Sequence, residues 1–321
     1  MTPPPTATIP DAAPAARRLA GRDLLAASDL DAAEATSLLD LAAEIKRDYR
    51  PLRDALAQKS VVLLFEKPSL RTRVSFEIGV AKLGGHCVYL DHQASRIGER
   101  ESIADYARNL ERWAECLVLR THAHRTIEEM AAHASVPVVN ALSEIAHPCQ
   151  ALADFLTLRE NGLKPSSLRL AFIGDGNNVC RSLMELSAIL GASFVAITPE
   201  AYAPPAEAVA RARDLAKSGG GSIEVSHDLA ALRGADAVYT DAWISMGQAA
   251  DAAKRAAMRP FQVNANAMAL AGPRALFLHC LPAHRGEEVT DDVMDGPRSV
   301  VFDQAENRMH AQNALLLSIL R

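Results

Sequence analysis

Six short clusters in this 321-residue chain combine residue types and spacing that can do chemistry. The densest is Ser69-Leu70-Arg71-Thr72-Arg73. Five apolar residues, Val61 to Phe65, run into it, and Val74, Ile78, Ala81 and Leu83 leave it at helical spacing. The stretch therefore reads as a strand, a tight turn and a helix N-terminus. Pro68 disfavours helix before it, Ser69 is a good N-cap, and the first turn offers backbone N–H groups at the positive end of the helix dipole. An anion belongs there: the guanidinium forks of Arg71 and Arg73 suit phosphate oxygens, and Ser69 and Thr72 add hydroxyl donors. Taken alone, the same residues also fit a capped helix with two solvated arginines. The other clusters are Arg120, His147-Pro148-Cys149-Gln150, Gly174-Asp175-Gly176-Asn177-Asn178, Asp241 with Ser245-Met246-Gly247, and His279-Cys280-Leu281-Pro282. Each has an ordinary structural explanation by itself: His147 as a turn residue, Asp241 as a helix cap, Cys280 as a buried thiol.

The elements that must position these residues follow from periodicity. Asp31 and Glu34 form a capping box opening a helix to about Arg47, and helices are expected near 70–83, 101–113, 125–133, 149–160 and 307–320. Strands are expected at 60–65, 87–90, 116–120, 136–140, 168–173, 193–197, 223–225, 237–240, 275–279 and 300–302, with a Gly-rich loop at 218–222. Strands alternating with helices give two doubly wound parallel-sheet α/β domains, with the active site expected in the cleft between them. In such sheets ligands sit outside the C-terminal strand ends, and each cluster follows a strand at once or within a few residues. The expected division is a disordered Pro- and Ala-rich tail at 1–20, a first domain at 21–148 and a second at 149–306. The helix at 307–320 packs back on the first.

Composition narrows the function classes. A hydrophobic content of 49%, 23% charged residues and a net charge of −5 describe a globular chain with no basic excess, which argues against nucleic acid as a partner. No apolar run approaches the ~20 residues of a membrane span, and no signal-peptide core follows the N-terminus. Five cysteines, Cys87, Cys116, Cys149, Cys180 and Cys280, are odd in number and never in a CxxC pair, as expected of reduced thiols in a cytoplasmic protein. No spacing suggests a metal, and His122 and His124 read as surface histidines. Gly174 and Gly176 imitate the start of a dinucleotide fingerprint, but Val179 stands where its third glycine belongs; Asn177 and Asn178 suit a small carboxylate better than a nicotinamide cofactor, and no cofactor is expected.

FEKPSLRTR, HPCQ, GDGNN, DAWISMGQ, HCLP and AENR, in this order, resemble the aspartate/ornithine carbamoyltransferase family, and the ornithine branch most, from about residue 20 to the end. The resemblance implies transfer of the carbamoyl group of carbamoyl phosphate to the δ-amine of L-ornithine, giving L-citrulline. It implies that Ser69, Leu70, Arg71 and Thr72 hold the phosphate, that Thr72, Arg120 and His147 polarise the carbamoyl oxygen, and that Gln150 orients the carbamoyl amine. Carbonyls of Cys280 and Leu281, with Arg308, complete that site. Asn178 and the backbone at Met246 take the ornithine carboxylate, Asp241 and Ser245 its α-amine, and Cys280 lies near the δ-amine. It further implies a homotrimer with shared active sites, in which Arg96 stands where the neighbouring subunit contributes a loop residue. Two departures mark this chain: Leu70 replaces a frequent threonine, and Arg96 a frequent Gln or His. The readings left beside it are a sibling enzyme acting on N-acylornithine, putrescine or aspartate, and a noncatalytic binding protein.

Overall fold

A computed structural model of the chain describes residues 18–244 and 251–320. The chain divides into two compact units, residues 1–144 with 307–321, and residues 145–306. His147 lies just past the first division, in the second of these units.

In the first unit, strands β1 (Ser60–Phe65), β2 (His86–Asp91), β3 (Cys116–Arg120) and β4 (Val138–Leu142) form an all-parallel sheet in the order β2-β1-β3-β4. Helices α1 (Ala32–Arg47), α2 (Leu70–Lys82), α3 (Ile103–Leu110) and α4 (His124–His133) accompany it. β1 and β3 are central, and Val61 to Phe65 and Cys116 to Arg120 are buried throughout. Continuous apolar runs are what a parallel strand covered on both faces requires. Asp31 caps α1 by accepting from Glu34 N–H, and Glu34 returns the bond to the Asp31 N–H, the capping box read from the sequence.

In the second unit, β5 (Arg169–Ile173), β6 (Ser193–Ile197), β7 (Ser222–Ser226), β8 (Ala237–Thr240) and β9 (Leu276–His279) form an all-parallel sheet in the order β7-β6-β5-β8-β9. Its helices are α5 (Pro148–Glu160), α6 (Asn178–Leu190), α7 (Ala206–Gly219), α8 (Ala252–Met258), α9 (Ala265–Ala271) and α10 (Asp291–Met294). The last helix, α11 (Val301–Ile319), contains the second division between the units. Among the described residues no helix is long and apolar enough to cross a membrane.

Both sheets have one place where the strand order reverses, between β1 and β3 and between β5 and β8. Ligands of doubly wound sheets bind at such switch points, beyond the strand C-termini. Ser69–Arg73 and Arg120 follow β1 and β3; Gly174–Asn178 and Asp241 follow β5 and β8.

Several expectations need correction. Val300–Phe302 is not a strand: α11 begins at Val301, and only Ser299 bridges to Phe277. Residues 218–222 are not one loop, since α7 runs through Gly219 and β7 starts at Ser222. The helix at 101–113 is confined to α3, capped by Ser102. Residues 18–20 of the expected tail form a turn with Leu19 buried and Arg18 paired with Asp31 at 2.9 Å; residues 1–17 lie outside the described ones. On α2, Val74 and Ile78 lie on the open face. The helix buries Phe76, Gly79 and Val80, about half a helical turn round, and a Cβ on Gly79 would collide with the Asn313 side chain of α11. Leu70, Val74 and Ile78 form an apolar stripe that stays exposed.

Candidate active site

The cluster at the first switch point is cationic. Ser69 is the N-cap of α2, its Oγ accepting from the Thr72 N–H at 3.3 Å. Thr72 Oγ1 accepts from Ser69 Oγ–H at 2.9 Å and from Arg308 Nη2 at 2.8 Å, which leaves its own O–H as the donor it can offer. Arg308, Thr72 and Arg120 are buried. Arg120 ends β3, directly opposite Phe65 of β1. Arg71 occupies the first turn of α2. Arg73 does not belong to this group, because its Nε donates to Glu77 at 3.0 Å and its guanidinium lies 3.9 Å over the Tyr89 ring.

Two residues of the same stretch, Glu66 and Lys67, escaped the sequence reading. Glu66 is a buried bracket: its N–H donates to the Arg120 carbonyl at 2.8 Å, its Oε2 accepts from His122 N–H at 2.8 Å, and its Oε1 accepts from Ile97 N–H at 3.1 Å. One side chain thus fixes the backbone beside Arg120 and beside Arg96. Lys67 is buried, and burial followed by the charge of Arg120 holds its ammonium below the usual lysine range, with Arg96 adding to the effect. Burial, then Lys67 and Arg96, push His122 down as well. Arg96 itself is exposed on its loop, yet within electrostatic reach of Lys67. Leu70 is 74% exposed and offers the site only its backbone. His124 is not a surface histidine: it is buried, with Nδ1 2.8 Å from Ser143 Oγ.

The cluster at the second switch point is built around a carboxylate. Asp241, just past β8, accepts from Asn177 Nδ2 at 2.8 Å on Oδ2 and from Cys280 Sγ at 3.1 Å on Oδ1. Asn177 caps α6, its Oδ1 accepting from Val179 and Cys180 N–H. Of the two asparagines that suit a small carboxylate, Asn177 faces Asp241, while the buried Oδ1 of Asn178 accepts from Val179 N–H within its own helix. Gly176 has a packing reason to be glycine: a Cβ there would collide with the Pro204 backbone N. Asp175 pairs with Lys254 Nζ at 2.6 Å, a link between residues 79 apart that no local pattern announces. Burial pushes the Asp175 carboxyl up despite that pair. Ser245 and Met246 lie outside the described residues.

His147 is the N-cap of α5 and is buried, its N–H donating to Ser182 Oγ at 2.7 Å. One turn on, Gln150 Nε2 donates to Asp154 at 2.8 Å. Leu281 adopts a left-handed backbone with φ of 59°, before a cis Leu281–Pro282 bond. Asp241, His279 and Cys280 bring one donor atom each within 4.8 Å of one another, the composition of a cation site. Both imidazole nitrogens of His279 are nevertheless committed: Nδ1 accepts from Leu281 N–H at 2.9 Å and Nε2 lies 3.1 Å from Glu288 Oε1.

Comparison with known proteins matches both units. The family model described as "Aspartate/ornithine carbamoyltransferase, carbamoyl-P binding domain" covers residues 22–160, and that described as the "Asp/Orn binding domain" covers residues 166–319. An ornithine carbamoyltransferase of Shewanella oneidensis is 52% identical over 299 residues, 93% of this chain and 99% of the relative. An anabolic ornithine carbamoyltransferase of Pyrococcus furiosus is 47% identical over 307 residues, 94% of this chain and 97% of the relative. The solved ornithine carbamoyltransferase of Pyrococcus furiosus superposes with a TM-score of 0.91 at 46% identity, covering 94% of this chain and 98% of that one.

Proposed function

Because the chain belongs to the aspartate/ornithine carbamoyltransferase family, we propose that it transfers the carbamoyl group of carbamoyl phosphate to the δ-amino group of L-ornithine, giving L-citrulline and phosphate. The observation that carries the choice of amine is the Asp241 carboxylate, with one hydrogen bond on each oxygen from Asn177 and Cys280. A carboxylate held this way keeps lone pairs for an α-ammonium. An acylated α-nitrogen has no charge to offer it, and putrescine lacks the carboxylate assigned to Asn178.

The phosphate takes the N-terminus of α2, with Ser69, the Leu70 backbone, Arg71 and Thr72 as ligands and Arg308 behind Thr72. Attack of the neutral amine on the carbamoyl carbon places negative charge on its oxygen. Thr72, Arg120 and His147 stabilise that charge, and Gln150 with the Cys280 and Leu281 carbonyls fixes the carbamoyl amine. The carbon–oxygen bond to phosphate then breaks, and the phosphate leaves with the bonding pair into a cluster of cations. The δ-ammonium must first lose a proton, since an unperturbed amine has a pKa near ~10. The hydrogen-bonded pair of Cys280 and Asp241 stands at the position assigned to that step. Asn178 and the Met246 backbone hold the ornithine carboxylate, and Ser245 joins Asp241 on its α-amine.

The working assembly is a homotrimer in which Arg96 serves the neighbouring subunit's phosphate site. The stripe of Leu70, Val74 and Ile78 on α2, with Val88 on the edge strand β2, supports self-association, since contiguous exposed apolar surface marks an interface. Val74→Glu with Ile78→Glu is expected to reduce the mass in sedimentation equilibrium from three chains to one and to remove most activity; an unchanged mass would overturn the interface. A cytoplasmic setting fits five cysteines that are all free thiols.

The deciding experiment offers purified protein carbamoyl phosphate with ornithine, N-acetylornithine, putrescine or aspartate, and follows carbamoylated product and phosphate together. Ornithine should be preferred by orders of magnitude. Preference for another amine would overturn the assignment of Asp241, and no turnover with any would leave a binding protein.

A further inference from the structure

Gln150 and Asp154 sit one turn apart on α5, and both side chains are buried. Asp154 Oδ1 accepts from Gln150 Nε2 at 2.8 Å and from Gln304 Nε2 at 2.7 Å. Gln304, near the start of α11, also donates from Nε2 to the Tyr239 hydroxyl at 3.1 Å and accepts the His279 N–H on Oε1 at 2.9 Å. Burial, then the charge of Asp154, pushes the Tyr239 hydroxyl up, and the Cys280 Sγ donates to Asp241 at 3.1 Å. A chain of side chains therefore runs from Gln150 through Asp154 and Gln304 to Tyr239 of β8 and to the His279 N–H at the end of β9, next to Cys280.

A buried carboxylate is costly unless its bonds are made and used. An amide has two different ends, and two N–H donors converging on one oxygen are the pattern of a pure acceptor. Asp154 therefore holds the NH2 end of Gln150, so that the other end of the amide, Oε1, is an acceptor. A carbamoyl amine is a donor, so the opposite orientation would set NH2 against NH2. We propose that Asp154 is a positioning residue that selects the carbamoyl group by locking the amide orientation of Gln150, and that Gln304 anchors it to the strand end carrying Cys280. No role is assigned to Asp154 in contacting substrate. The inference rests on the carbamoyl-transfer reading of Gln150.

The test is a double-substitution cycle of Asp154→Ala and Gln150→Ala, reading kcat and KM for carbamoyl phosphate with ornithine saturating. Asp154→Ala alone should lower kcat/KM about 10- to 100-fold, as small misplacements of an orienting group do. In the Gln150→Ala background the same substitution should cost less than about threefold, because there is no amide left to orient. Equal losses in both backgrounds, or no loss in either, would overturn the proposal. If Asp154→Ala does not fold, the cycle is run with Asp154→Ser, which keeps the position polar but is too short to reach both amides, and the same two outcomes decide. Citrulline formation by the unsubstituted enzyme tests the underlying reading separately: its absence refutes carbamoyl transfer, whereas its presence with an additive cycle refutes only the role of Asp154.

Discussion

The two sheets share a topology and place their clusters at equivalent switch points, yet the clusters have opposite character. At the end of β1 and β3 the groups are cations gathered around a helix N-terminus, with Lys67, Arg120, Arg308 and Arg71 in or beside the first turn of α2. At the end of β5 and β8 they are a carboxylate, a thiol and amides, joined by side-chain hydrogen bonds. The first cluster is largely a property of backbone, since any helix start with arginines attracts an anion. The second is a property of particular pairs. On the proposed reading one scaffold supplies a general anchor for the donor substrate and a selective one for the acceptor, and both are tied in place by long-range contacts, Arg308 to Thr72 in the first and Asn177 and Cys280 to Asp241 in the second.

The contrast can be broken from the cationic side first. Arg71→Ala should lower kcat/KM for carbamoyl phosphate by about 10³-fold, at the upper end of what one transition-state donor contributes, while thermal unfolding stays within a few degrees because no core volume is lost. A variant that unfolds, or one that keeps full activity, would remove the phosphate from α2. Next, Asp241→Asn should raise KM for ornithine by about 10²-fold with little change in KM for carbamoyl phosphate, as deletion of one charged partner in a binding pair does. Equal effects on both substrates would erase the division of labour.

Glu66→Gln sharpens the comparison, because it tests whether the cationic cluster also depends on a specific pair. An amide NH2 in place of one oxygen must face the N–H of Ile97 or His122, donor against donor. KM for carbamoyl phosphate should rise about tenfold in steady-state kinetics, with ornithine affinity unchanged. The smallest effect concerns Lys67, whose ammonium is held low by burial and by Arg120. Its protonated form favours an anion, so affinity is full on the acid side and falls as pH rises through that lowered pKa; a bound anion raises the pKa and takes up a proton. Calorimetry should therefore show inorganic phosphate binding weakening several-fold as pH rises on the alkaline side, before the usual lysine range is reached, with proton uptake, and Lys67→Met should flatten the profile. A profile unchanged by the substitution would take Lys67 out of the cluster.

Much of the framework was legible because it is encoded locally. The apolar runs of β1, β3 and β5, the Asp31–Glu34 box and the Ser69 cap each act within a few residues, and the polar clusters follow their strands. Val300–Phe302 departs from expectation because a short apolar run fits a helix start as well as a strand, and only the continuation into α11, with Phe302 exposed, separates them. The helical spacing of Val74 and Ile78 identifies a helix and a face but not which face is covered, and in α2 the covered residues are Phe76 and Val80. The parts that escaped join distant positions: Asp154 to Gln304, Asp175 to Lys254, and Glu66 to both His122 and Ile97. No periodicity can announce such pairs, because their partners are chosen by the closed sheet.

The cap at Asn177 has a consequence for how substitutions at that position are tolerated. Its Oδ1 is claimed by the Val179 and Cys180 N–H groups, so the helix itself turns Nδ2 toward Asp241. Aspartate caps a helix about as well as asparagine, so Asn177→Asp keeps the cap and costs folded protein only the repulsion it sets up at Asp241. That repulsion comes from a second carboxylate set against Asp241. A survey of variants scored by abundance and one scored by citrulline should therefore part company at this residue, and their divergence would locate the amino-acid end of the site without any ligand in view.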